Sequence, residues 1–203
     1  MKILIACEFS GIVRDAFIAK GHEAYSCDIL PSERPGPHLL GDVRWFLDGI
    51  WHIHSGGWDM MIAHPPCTFL AVSGNRWMGE RPERAGQRED ALDFVRALMA
   101  MDIPKICIEN PKSVISSRIR KADQIIQPWQ FGHAETKETH LWLKGLHPLV
   151  PTSDLRGEMV GMKAKDRGRV HHAAPGPERW KERSRTLTGI AAAMADQWGR
   201  MSA

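Results

Sequence analysis

Two short segments carry the residues best suited to covalent chemistry. Asp59-Met-Met-Ile-Ala-His-Pro-Pro-Cys67 ends in a cysteine behind two prolines, and Ile103-Pro-Lys-Ile-Cys-Ile-Glu109-Asn-Pro111 ends in a carboxylate beside an amide. A thiolate is a strong nucleophile, and a carboxyl group can hold or hand over a proton. Together they suit addition to a pyrimidine such as cytosine. The thiolate adds at carbon 6, the acid serves ring nitrogen N3, and carbon 5 becomes an enamine carbon able to attack a methyl donor. The acid's task calls for a carboxyl of raised pKa. A base must afterwards remove the carbon-5 proton, and the sequence singles out no residue for it.

A second group of residues suits an adenosine-containing ligand. Glu8-Phe-Ser-Gly11 puts a glycine just after an apolar run, where the backbone can approach a ligand closely. Asp28 stands roughly 20 residues on, where an acidic side chain can accept hydrogen bonds from ribose hydroxyls. Phe9 offers a ring for stacking. The spacing is not GxGxxG, and no phosphate-binding P-loop is present. Cys7, Cys27, Cys67 and Cys107 are far apart and form no CxxC pair, which argues against a zinc site and a disulfide framework. Cys7, Cys27 and Cys107 end apolar runs and are expected to be buried, inert thiols.

These residues need a scaffold that gathers them. Short apolar runs alternate with helical patterns, which predicts an α/β fold with a mostly parallel sheet and helices on both faces. Strands are expected at Lys2–Cys7, Glu23–Cys27, Trp58–Ala63, Ile103–Ile108 and Thr139–Leu143. Helices are expected at Ile12–Lys20, Gln87–Met101 and Leu187–Gly199. Leu30–His38, Thr68–Arg88 and Leu146–Lys181 read as loops, the second because of Gly74, Gly79, Pro82 and Gly86. In an open parallel sheet, ligands bind beyond the carboxyl ends of the strands. Glu8–Gly11, Asp28, Gly41-Asp42, Pro65–Cys67 and Glu109–Pro111 all fall at such ends, so they are expected to converge on one edge.

The chain of 203 residues, with 43% hydrophobic and 25% charged residues, has the length and composition of one globular domain spanning 1–203. It has no apolar run near the roughly 20 residues of a membrane helix. Its first residues read as a strand rather than a signal peptide, so a cytoplasmic location is expected. Net charge is only +3. Between Pro151 and Thr188, however, nine Lys/Arg face five Asp/Glu, a local excess of four positive charges beside His171 and His172. Such a patch could meet phosphates.

In kind and in order, these segments resemble the motifs of the DNA cytosine-5 methyltransferases. Glu8-Phe-Ser-Gly11 resembles the cofactor motif, which implies S-adenosylmethionine contacts at Phe9, Ser10 and Gly11. Asp28, with Ile29 beside it, matches the acidic ribose-binding position, and Asp42 matches the aspartate that faces the adenine amino group. Pro65-Pro66-Cys67 is similar to the nucleophile motif. Ser73-Gly-Asn, followed by Arg76, resembles the mobile catalytic loop that meets the substrate. Glu109-Asn110 matches the Glu-Asn motif at cytosine N3, and Gly189 resembles the C-terminal motif that completes the cofactor pocket.

The departures are specific. The family's Gln-x-Arg-x-Arg motif is reduced to Glu135-Thr-Lys-Glu-Thr139, where Lys137 could replace one arginine near the cytosine. His64, Thr68 and Ile190 stand where the family has other residues. Only about 50 residues separate Lys137 from Gly189, too few for a full target-recognition domain. The resemblance is therefore to short phage-type members, at work in a bacterial or phage-infected cell. It implies S-adenosylmethionine as cofactor and no metal. The implied partner is DNA, as a duplex with a flipped cytosine or single-stranded, with a partner chain as one source of target recognition. Rival readings are a cytosine-nucleotide methyltransferase, an adenine-N6 methyltransferase, and a degenerate member that only binds DNA or cofactor. Against the adenine reading, His64 and Cys67 occupy the positions where such enzymes carry Asp or Asn and an aromatic residue.

Overall fold

Alternate residues of the first strand enter two different cores. Ile3 and Ile5 belong to one apolar cluster, Leu4 and Ala6 to another, as a sheet covered on both faces requires. The computed structural model describes residues 1–47, 57–77, 81 and 83–200, without the side chains of Phe46, Leu47, Arg76 and Trp77. Gly79 and Pro82 of the expected second loop lie outside the described residues.

The strands are β1 (Lys2–Ala6), β2 (Glu23–Asp28), β3 (His38–Leu40), β4 (Met60–Ala63), β5 (Lys105–Pro111), β6 (Gln124–Ile126) and β7 (Thr139–Lys144). The helices are α1 (Ile12–Ile18), α2 (Arg44–Leu47), α3 (Glu83–Ala100), α4 (Ile115–Arg118), α5 (Ala164–Arg167), α6 (Arg179–Ser184) and α7 (Thr188–Trp198), with 3-10 turns at Val72–Trp77 and Pro128–Phe131. The sheet order is β3-β2-β1-β4-β5-β7-β6. Neighbours from β3 to β5 run parallel, and β7 runs antiparallel to both β5 and β6. α1 and α7 cover one face through Val13, Phe17, Ala191 and Met194. α3 and α4 cover the other through Leu92, Val95, Leu98 and Ile115. The chain is thus α/β with a seven-stranded, mostly parallel sheet between helices, compatible with a Rossmann-like fold. Among the described residues no helix is long and apolar enough to cross a membrane.

Several boundaries differ from those expected. β5 starts and ends later, at Lys105 and Pro111, because antiparallel pairing with β7 carries it onward: Glu109 lies opposite Leu141 and Asn110 opposite His140. Glu109 is therefore a strand residue and does not follow the strand. β4 starts at Met60, two residues after Trp58, where the fully buried run begins. α3 starts at Glu83, inside the segment expected as a loop, since its first turn is polar and shows no apolar stripe. The stretch Leu146–Lys181, also expected as a loop, contains α5 and the start of α6, neither of which buries a residue.

Candidate active site at the switch point of the sheet

After β3 the chain returns to the other side of β1, so the connections leaving β1 and β4 part in opposite directions. This is the switch point of an open sheet, where a crevice forms beyond the strand ends. Cys7–Gly11 leaves β1 there and His64–Cys67 leaves β4. Cys7 has φ of 57°, a left-handed conformation that a non-glycine residue adopts at a cost. The turn sends Glu8 back over the start of α1. Glu8 Oε1 accepts the Val13 N–H at 2.7 Å and the Ser10 hydroxyl at 3.0 Å, and Oε2 accepts the Arg14 N–H at 3.3 Å. Glu8 thereby satisfies amides left unpaired in the first helical turn and places a negative charge at the positive helix end.

Gly11, with φ of 70°, makes that turn possible, and a Cβ there would strike the Arg14 guanidinium. Arg14 is completely buried. It donates to the Ser26 hydroxyl at 3.2 Å, the Ser32 hydroxyl at 3.1 Å, and the carbonyls of Arg34 and Pro35 at 3.4 and 3.0 Å, and it pairs with Asp15 at 2.7 Å. It staples the loop after β2 to α1. Helical patterning hides this role, because an arginine on a short helix reads as a solvated face.

A cavity of about 40 Å³ lies between Cys7–Ser10, His64 and Ser184–Thr186. The segment around α6 forms its outer wall as a strap. Trp180 packs on Phe9 with ring centroids 5.7 Å apart and planes at 56°. Arg185 grips Glu33 through two hydrogen bonds of 2.6 and 2.9 Å. Lys137 Nζ donates to the Arg185 carbonyl at 3.3 Å. A pocket for a drug-sized ligand measures roughly 300–1,000 Å³, so the cavity with the strap in this position is smaller than a nucleoside requires. The surroundings nevertheless match an adenosine ligand in kind: the Phe9 ring on the cavity wall, the left-handed glycine turn at Gly11 that follows it, and the Asp28 carboxylate at the end of the neighbouring β2.

Cys67 lies on the crevice rim, the only exposed thiol of the four. The protein crowds it enough that desolvation raises its pKa, and the Glu109 charge adds to the rise; Arg183 and Lys137 pull the other way. Cys27 is pushed up to about 12, by burial first and then by Asp28 and Asp42, and Cys7 and Cys107 are raised well above the ordinary range by burial. Those three are ill suited to act as nucleophiles.

The segment after Cys67 is laced to the segment after Glu109. Val72 N–H donates to the Lys112 carbonyl at 3.1 Å, Val114 N–H donates to the Leu70 carbonyl at 2.9 Å, and Ala71 bridges Ser113. Asn110 Nδ2 donates to the Pro65 carbonyl at 2.8 Å. The thiol and the carboxylate thus belong to one rigid unit.

Glu109 itself departs from expectation. Burial, the largest influence, pushes its carboxyl up. The hydrogen bond from His64 Nδ1 at 2.9 Å, the His64 charge and Lys137 outweigh it and hold the carboxyl below its usual range. The raised pKa expected from the chemistry is therefore not what this environment produces, because an imidazole and an ammonium stabilise the carboxylate. His64, read in the sequence only as a departure from the motif, is a direct partner of Glu109. A titratable side chain at the end of a buried strand was the available signal. Arg183 and Arg185 were visible only as part of a basic excess.

The remaining expected residues divide. Ser10 and Phe9 line the cavity, and Pro65 and Asn110 hold the lacing. Asp28 accepts the Leu30 N–H at 3.0 Å. Its carboxyl is raised by burial against the pull of backbone N–H groups, His38 and His64. Ile29 is 72% exposed. Asp42 is engaged by Arg44, which holds its carboxyl below the usual range, so that it faces an arginine on its own segment. Pro66 and Ser73 are exposed on the Cys67 side. Arg76 belongs to the 3-10 turn at Val72–Trp77, but its side chain lies outside the described part. Gly189 stands apart from the cavity: its N–H donates to His133 Nε2 at 2.9 Å, and it lets α7 close on Phe131. Thr186, three residues earlier, is the one that reaches the cavity wall.

Compared with known proteins, the chain matches no family model and no curated protein sequence.

Proposed function

We propose that this chain transfers a methyl group from S-adenosylmethionine to carbon 5 of cytosine in DNA, through a covalent adduct on Cys67. The observation that carries the reading is the pairing of an exposed thiol with a buried carboxylate on two adjacent, cross-laced strand ends at the switch point. Cys67 is the nucleophile toward carbon 6, and Glu109 holds N3. Lys137, whose charge reaches both groups, steadies the negative charge between them. Phe9, Ser10, Gly11 and Asp28 would hold the cofactor, which when bound supplies an electrophilic methyl group. A cytosine in duplex DNA must leave the stack to reach Cys67. The exposed Pro66 and Ser73, with the arginines of the strap, are the surface it would meet.

The test is incubation with S-adenosylmethionine and DNA containing 5-fluorocytosine, in which fluorine blocks release of the enzyme. A denaturation-resistant protein–DNA adduct, lost in Cys67→Ser, is expected. Active methylation without an adduct and insensitive to Cys67→Ser would refute the mechanism, and methylation of adenine N6 would transfer the assignment to that chemistry. Binding of DNA or cofactor with no methyl transfer would identify a degenerate member.

A further inference from the structure

We infer that His64 holds and resupplies the proton that Glu109 gives to cytosine N3, acting as a positioning residue that reaches the base only through that carboxylate; this rests on the cytosine-directed reading above. The geometry is specific. His64 leaves β4 beside Pro65, its Nδ1 lies 2.9 Å from Glu109 Oε2, and both side chains are close to nine-tenths buried. Its other nitrogen, Nε2, is buried with no hydrogen-bond partner among the described residues. A buried polar nitrogen without a partner costs about 1–3 kcal/mol, so a role in the site is a better account of it than packing.

The chemistry supplies that role. A carboxylate held in its ionised form by its neighbours has no proton of its own to give. An imidazolium in hydrogen-bond contact does. In the addition step the Cys67 thiolate forms the S–C6 bond and the C5=C6 π pair shifts to make C4=C5. The C4=N3 pair then settles on N3. N3 takes a proton across Glu109 as His64 Nδ1 releases its own to the carboxylate. The products are a neutral adduct, a neutral imidazole and an unchanged carboxylate, so charge and protons balance without another reactant. After the carbon-5 proton has left and the thiolate departs, N3 returns its proton along the same path.

The charged and titratable groups around His64 are Glu109 from β5, Asp28 from the end of β2, and Cys7, Glu8 and Arg185, which line the same cavity. Lys137 acts on Glu109 as well.

The test compares the rate of adduct formation with 5-fluorocytosine DNA and S-adenosylmethionine, as a function of pH, in wild type, His64→Asn and His64→Gln. Asparagine keeps a donor near the Nδ1 position but does not titrate. The wild-type rate is expected to follow a bell, one limb from ionisation of Cys67 and one from the His64–Glu109 pair. A folded His64→Asn should be slower by on the order of 100-fold and keep only the rising limb, and His64→Gln serves in its place if its melting curve alone is wild-type. A folded variant that keeps both limbs, whether fast or slow, overturns the relay and leaves His64 a structural residue. Absence of any wild-type adduct overturns the methylation reading beneath it, and the relay with it.

Discussion

Replacing Arg14 by methionine keeps most of the buried volume and removes every hydrogen bond the guanidinium makes. Three of those bonds, to Ser32 and the carbonyls of Arg34 and Pro35, tie the loop after β2 to α1, and a fourth ties α1 to Ser26 of β2 itself. Ser26 retains His38 at 2.9 Å, and the exposed loop carbonyls can turn to water. Asp15, a third exposed, is left solvated, so the cost is that of the lost charge-assisted hydrogen bonds less the regained water contacts, about 3 kcal/mol. For a chain of this size that is a fall in melting temperature of about 6–12 °C. The freed loop carries Glu33, so the grip on Arg185 should loosen with it. Circular dichroism gives the melting temperature, and cleavage after Glu33 by a glutamate-specific protease reports the loop. A melting temperature within about 2 °C of wild type, with Glu33 still protected, would refute the view that Arg14 organises this edge of the crevice.

The other predictions concern Cys67 and α7. Alkylation of Cys67 by iodoacetamide should accelerate as pH rises toward its raised pKa. Glu109→Gln removes a negative neighbour, lowers that pKa and should speed alkylation several-fold at neutral pH; Lys137→Met should slow it. Equal rates in all three proteins, followed by mass spectrometry of the Cys67 peptide, would deny the electrostatic coupling. Gly189→Ala drives a methyl group into the Phe131 carbonyl oxygen and should cost about 3 kcal/mol, the upper end for overpacking, in chemical denaturation. A loss below about 1 kcal/mol would show that α7 shifts freely.

The parallel core was legible because β1, β4 and β5 carry apolar runs, with a helical pattern after β1 and another before β5. β3 and β6 are three residues each, too short for any periodicity to register. The strap escaped notice for a different reason: α5 and α6 bury no residues, and what holds them is a set of contacts between distant positions, such as Arg185 with Glu33 and Trp180 with Phe9. Cys67 and Glu109 could be paired from motif order alone, whereas the protonation balance between them could not. It depends on His64, whose partner lies 45 positions away, and it reversed the expected direction for the carboxyl. Gly189, expected at a cofactor contact, lies instead where α7 closes on Phe131.

The lacing between the chain after Cys67 and the chain after Glu109 has an evolutionary consequence. The segments after Cys67 and Glu109 are held in register by backbone hydrogen bonds, from Val72 N–H to the Lys112 carbonyl and from Val114 N–H to the Leu70 carbonyl, and by the Asn110 side chain on the Pro65 carbonyl. The strap is held elsewhere, by Trp180 on Phe9 and Arg185 on Glu33. Sequence in the exposed stretch before the strap can drift or lengthen while the Cys67 and Glu109 segments stay in register. Randomising the exposed positions between Gly157 and Asp166 should therefore leave the Cys67–Glu109 unit intact, and with it the alkylation rate of Cys67.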